Sequence, residues 1–102
     1  MGFEMREQRE ERDAVRLSLT GELDLAVAEQ FRARLQALAR EHTAVVLDLS
    51  DLQFIDSTGI HVLVTYFNHA AHDGWDLRAD PDLTSPVRRV IELVGLDHVL
   101  WP

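Results

Sequence analysis

Apolar residues recur along this chain in two rhythms, and elements begin and end where the rhythm changes. Phe3 and Met5 alternate with polar neighbours; after a charged stretch at residues 6–13, Val15, Leu17 and Leu19 alternate with Arg16, Ser18 and Thr20. A period of two belongs to a strand with one buried face, so the opening predicts a β-hairpin. The charges on its first arm suit an edge strand, where charge discourages pairing with another molecule. Beyond Gly21-Glu22-Leu23-Asp24 the period becomes helical. Val27, Phe31, Leu35 and Leu38 form the stripe, Glu29, Arg32, Arg34 and Gln36 lie off it, and Asp24 stands where a cap is needed. Residues 44–49 are almost continuously apolar and β-branched, the pattern of a central strand covered on both faces.

Ile60, Leu63, Val64, Phe67 and Ala71 mark a second helix, with Gly74 as its left-handed stop. Trp75, Leu77 and Ala79 alternate as a further strand. Ser85 as cap, Pro86 in the first turn, a stripe of Val87, Val90, Ile91 and Val94, and a closing Gly95 define a third helix. Val99, Leu100 and Trp101 then need cover, for which a short strand is expected. An opening hairpin followed by alternating helices and strands predicts an α/β fold, with right-handed crossovers and a mixed sheet carrying packed helices. No repeat or linker interrupts this order, so residues 1–102 are expected to form one domain.

Composition narrows the function classes. Hydrophobic residues at 46% and charged residues at 27% describe a soluble globular chain rather than a disordered one. Eighteen acidic residues against ten basic ones, all arginine, give a net charge of -8. That charge repels nucleic acids and anionic membranes and favours basic or neutral protein partners. The absence of cysteine removes disulfides, thiolate nucleophiles and cysteine-ligated zinc. The N-terminus is charged almost at once and no run approaches the ~20 apolar residues of a membrane span, so a cytoplasmic location is expected.

Candidate chemistry gathers in residues 45–60, VVLDLSDLQFIDSTGI, where a strand runs through Asp56-Ser57-Thr58-Gly59 into a helix. Free N–H groups and the positive dipole end make a helix start a natural seat for phosphate. Asp56, Ser57 or Thr58 could equally cap the helix, and capping is compatible with phosphorylation. Ser57 lacks the G-x-S-x-G setting and a positioned base of a hydrolase, so it reads as a substrate, not a nucleophile, and no enzymatic activity or cofactor is expected. His42, His61, His69, His72 and His98 read as surface histidines; His69 and His72 have helical spacing but no third ligand beside them, so no metal is expected. Arg88 and Arg89 read as a solvated face, and Trp75 and Trp101 as core or core-edge residues.

The segment around Asp56-Ser57-Thr58-Gly59 resembles the signature of STAS domains. Leu19-Thr20-Gly21-Glu22-Leu23-Asp24 is similar to the family's first loop, and Ser85-Pro86-Val87 through Gly95-Leu96 to its last shared helix. The blocks stand in the family's order and together cover nearly the whole chain. Resemblance to the anti-sigma-factor-antagonist branch implies a partner switch. The unphosphorylated protein would bind an anti-sigma factor that is also a serine kinase and free its sigma factor. Phosphorylation of Ser57 would end that binding until a serine phosphatase resets it. The same resemblance implies a partner face built from Gly21, Glu22 and Asp24 with Asp56, Ser57, Thr58, Gly59 and His61. His61 departs from the glycine usual in the branch. The chain also stops where many relatives continue into a closing helix, as a trimmed member or one whose side is covered by a partner or fused domain. Two other readings use the same features: a non-switching scaffold or regulatory module of a signalling or transport assembly, and a small-molecule or nucleotide binder.

Overall fold

The structure is a computed structural model and describes residues 2–102. The hairpin pairs β1 (Phe3–Arg9) with β2 (Val15–Leu23) antiparallel, Phe3 opposite Gly21 and Arg9 opposite Val15. A short 3-10 turn at Glu11–Asp13 joins them, with Arg12 and Asp13 at φ of 63° and 62°. There follow α1 (Leu25–Arg40), β3 (Val45–Ile55), α2 (Ser57–Asp73), β4 (Leu77–Ala79), α3 (Ser85–Leu93) and the short α4 (Asp97–Leu100). The four strands form one mixed sheet in the order β1-β2-β3-β4, with β2, β3 and β4 parallel. This is the α/β architecture expected from the sequence, and Gly74 ends α2 at φ 71°.

One apolar core unites sheet and helices: Leu17, Leu19 and Leu23 of β2, Leu47 and Leu49 of β3, Phe31, Leu35 and Leu38 of α1, Leu63 and Phe67 of α2, and Val87 and Ile91 of α3. The helix stripes differ in detail from the sequence reading. Ala70, not Ala71, is buried on α2, and Val94 is 55% exposed at the end of α3. β3 is central, but it is not covered on both faces. Val45, Leu47 and Leu49 are buried while Val46, Asp48 and Ser50 are half-buried. That second face is polar and self-satisfied: the Arg16 guanidinium donates to Glu10 at 2.8 Å, Asp48 at 3.0 Å and Asp80 at 3.1 Å. Burial would push the Asp48 carboxyl up, but hydrogen bonds from the Ser50 hydroxyl and amide and from Arg16 together hold it below the ordinary carboxylate range.

Beyond Leu49 the spacing of buried residues in β3 lengthens, to Leu52 and then Ile55. The cause is two bulges. Ser18 to Thr20 of β2 runs beside Asp48 to Asp51, and Gly21 to Glu22 beside Leu52 to Phe54, so each irregularity adds one residue to β3. The expected C-terminal strand is instead α4. Leu100 is buried, and the Trp101 indole donates to the Ala79 carbonyl at 2.8 Å, finishing the β4 edge. Trp75 is a core residue at 5% exposure, its indole donating to the Thr43 carbonyl at 2.6 Å. Thr84, not Ser85, occupies the cap position of α3, and its hydroxyl donates to the Leu52 carbonyl at 2.6 Å.

Candidate functional site

Because β2 and β3 are parallel, they end together, with Leu23 opposite Ile55. The Asp56 amide donates to the Leu23 carbonyl at 3.1 Å, so α1 and α2 start side by side. Asp24 caps α1 as expected, accepting from the Ala26 amide at 3.0 Å. The cap of α2 is Asp56. One of its oxygens accepts from the amides of Thr58 at 2.9 Å and Gly59 at 3.1 Å, and from the Thr58 hydroxyl. Its other oxygen accepts from the Leu25 amide, the first residue of α1, at 3.1 Å. A single carboxylate thus ties together the starts of both helices. Burial would raise its pKa, but the hydrogen bonds from the Thr58 hydroxyl and from the Gly59, Thr58 and Leu25 amides outweigh this and hold it below the usual carboxylate range.

Gly59 makes this close approach possible. A Cβ there would lie 2.7 Å from Cγ of Leu23 and 3.0 Å from Cγ1 of Ile55, both buried side chains. Ser57, the first residue of α2, is exposed, and its hydroxyl has no hydrogen bond among the described residues. The Thr58 hydroxyl, by contrast, is spent on Asp56. His61 is exposed one helical turn beyond Ser57, on the same side of α2. Asp24, Asp56, Ser57, Thr58 and Gly59 are therefore brought together. Glu22 is half-buried on the neighbouring strand opposite Phe54. Gly21 is buried and offers no surface of its own. Its φ is 93°, and a Cβ there would lie 1.8 Å from the Gly2 carbonyl oxygen, so glycine is required for the start of β1 to lie against it.

Two exposed apolar residues near Asp56 escaped the sequence reading: Leu25, whose amide donates to Asp56, is 74% exposed, and Phe54, two residues before Asp56 in β3, is 47% exposed. The available signals were weak. Leu25 stands off the α1 stripe, and Phe54 falls between Leu52 and Ile55, turned outward by the second bulge. Chemically, the site offers a free hydroxyl beside a carboxylate whose two oxygens are already occupied by donors. Asp56 itself is committed as an acceptor to the Thr58 hydroxyl and to three amides, and is not free to draw a proton from Ser57. Among the described residues no three histidine, aspartate or glutamate side chains are placed to hold a metal ion; His69 faces Asp73 at 3.2 Å. Nor, among them, is any helix long and apolar enough to cross a membrane.

A mixed sheet with helices packed on it, presenting a free hydroxyl and exposed apolar residues near a helix start, defines the class as an α/β domain with an accessible helix start. The chain belongs to the STAS-domain family: the family profile described as Mlab, STAS domain, matches residues 7–102. Among similar proteins, the anti-sigma F factor antagonist of Paenibacillus polymyxa is 31% identical, with 92% of this chain and 81% of the relative covered. The anti-sigma-B factor antagonist of Bacillus subtilis is 27% identical, with 84% of this chain and 78% of the relative covered. The crystal structure of an anti-sigma factor antagonist from Mycobacterium paratuberculosis superposes with a TM-score of 0.85 at 22% identity, covering 98% of this chain and 84% of the other.

Proposed function

We propose that this chain is an anti-sigma factor antagonist, that its unmodified form binds an anti-sigma factor acting also as a serine kinase, and that phosphorylation of Ser57 ends the binding. The observation that carries the reading is the division of labour at the start of α2. Asp56 does the capping, Thr58 serves Asp56, and the exposed Ser57 hydroxyl is left free. A side chain without a structural duty at a helix start is available to a kinase. The names of the two relatives above supply the partner class. Leu25 and Phe54 supply apolar area to the face, with Glu22, Asp24 and His61 around it. A serine phosphatase would reset the switch, and the cytoplasm is its place of action.

The switch has a physical basis. Phosphoserine adds about -1.5 to -2 charges beside Asp56, which its hydrogen bonds from Thr58, Gly59 and Leu25 keep ionised. Two unit charges ~4 Å apart repel by about 4 kcal/mol at an effective dielectric of ~20. The helix dipole returns only ~0.3–1 kcal/mol, and the amides of Thr58 and Gly59 are already taken. Water screens this repulsion while the face is open; a bound partner removes the water. At ~1.4 kcal/mol per tenfold in affinity, even half the penalty costs more than tenfold.

The test uses the full chain with its kinase and anti-sigma factor. Mass spectrometry should place phosphate on Ser57 and find none on Ser57→Ala. Calorimetric titration should show Ser57→Ala binding and Ser57→Asp weakened, in part only because one carboxylate lacks the charge and the three acceptor oxygens of a phosphate. Equal labelling of wild type and Ser57→Ala, or undiminished binding by the phosphorylated protein, would leave a non-switching interaction module as the better account.

A further inference from the structure

The two edges of the sheet are finished differently. At β4 a strand of three residues is closed by Trp101, whose indole takes the Ala79 carbonyl. At the other side β1, seven residues long, is the terminal strand, and Glu4, Arg6, Glu7, Gln8 and Arg9 are exposed. A long edge strand presents unpaired N–H and C=O groups to any strand that fits. Charge along it blocks only those registers in which like signs meet.

We infer that β1 pairs antiparallel with β1 of a second copy of this chain, centred on Met5, so that two sheets become one. Identical antiparallel strands are related by a two-fold axis through the sheet, and directly opposed residues share a face. The centre therefore falls on one residue, which meets its own copy. Centred on Met5, Glu4 faces the partner's Arg6 and Arg6 the partner's Glu4, while Met5 meets the partner's Met5 and Phe3 the partner's Glu7. Centring on Glu4, Arg6 or Glu7 opposes like charges. Centring on Gln8 leaves only Glu7, Gln8 and Arg9 in the overlap, and Glu7 is already held by Arg34 at 2.7 Å.

The residues this register uses are free for it. Arg6 and Glu4 touch each other only loosely, at 3.8 Å, with side chains 72% and 71% exposed. Across β2 they face Ser18 and Thr20, which carry no charge. On the opposite face Met5 is half-buried against its β2 partner Leu19, and the partner's Met5 covers what remains. The net charge of -8 on each chain opposes approach. Screening over ~8 Å at physiological ionic strength leaves groups in direct contact to decide the register.

Sedimentation velocity of the full chain over a concentration series, with thermal unfolding as a control for folding, tests this. Wild type should show a monomer–dimer equilibrium. Arg6→Glu and Glu4→Arg each turn both cross-strand ion pairs into like-charge pairs and should raise the dimer dissociation constant by about tenfold or more. The double reversal Glu4→Arg with Arg6→Glu restores opposite signs and should return it to within about threefold of wild type. A wild type that stays monomeric throughout, single reversals that leave the dimer unchanged, or a double reversal that stays monomeric would each overturn the inference.

Discussion

Replacing Asp56 with Asn separates the two duties of this carboxylate. The amide oxygen can still accept from the Thr58 and Gly59 amides and the Thr58 hydroxyl, so the cap of α2 survives, and Asn is as good an N-cap as Asp. The amide nitrogen then faces the Leu25 N–H, donor against donor, where the carboxylate now accepts at 3.1 Å. The opposite flip would give up two backbone donors to keep one. Hydrogen bonds to charged groups contribute ~1.5–3 kcal/mol, and exposure of Leu25 lets water replace part of this, favouring the low end. Loss of the negative charge at two helix starts adds ~0.3–1 kcal/mol. Asp56→Asn should therefore cost about 2 kcal/mol, which at ~4–8 °C per kcal/mol lowers Tm by about 8–16 °C. Asp56→Ala should lose a further ~1 kcal/mol with the cap. The folded carboxyl lies below its unfolded value of ~3.9. Its contribution is thus complete above that pH and is lost as pH falls through the lower folded value, so Asp56→Asn should flatten the acid limb of stability. Urea denaturation across pH and hydrogen exchange of the Leu25 amide measure both effects. Unchanged stability with unchanged Leu25 protection would refute a shared carboxylate.

Gly59→Ala gains ~1 kcal/mol of helix propensity but forces a methyl against Leu23 and Ile55. Overpacking of ~1–3 kcal/mol should win, giving a net loss of about 1 kcal/mol by denaturation; a stabilised variant would show that the helix start can shift. His42 sits just past α1 at φ 53°, its amide donating to Ala39 and that of Thr43 to Leu38, a helix ending that usually takes glycine. His42→Gly should relieve ~1 kcal/mol of left-handed strain and raise Tm, and a fall in Tm would mean that the imidazole makes contacts outweighing it.

The parts of this fold that were legible in the sequence are those set by local pattern and by single residues with one dominant conformation. The hairpin, the three main helices, Asp24 as a cap and Gly74 as a stop follow from period and backbone preference. What escaped depends on partners distant in sequence. Thr84 takes the cap position because its hydroxyl finds the Leu52 carbonyl, thirty-two residues away. The last residues form a helix because Trp101 reaches Ala79, which no local pattern announces. The polar face of β3 is tolerated because Arg16 satisfies Asp48 and Asp80 across three strands' worth of chain. At the site, the motif located the helix start. Which of Asp56, Ser57 and Thr58 serves as the cap was decided by the Leu25 amide and by hydroxyl geometry.

The two extra residues in β3 separate the letters of the motif from the length of the strand that leads to it. Strand alternation sends successive side chains to opposite sides, and at a bulge two residues stand where the partner strand has one. Gln53 is such a residue, between Leu52 beside Gly21 and Phe54 beside Glu22. A chain lacking Gln53 would run as an unbroken ladder there, with Leu52 and Ile55 still on the core face and Asp56-Ser57-Thr58-Gly59 still at the helix start. The spacer before the motif can therefore change by a bulge residue without turning the motif around, and a sequence with one fewer strand position can still build this surface, with less bend and twist in the strand that carries it.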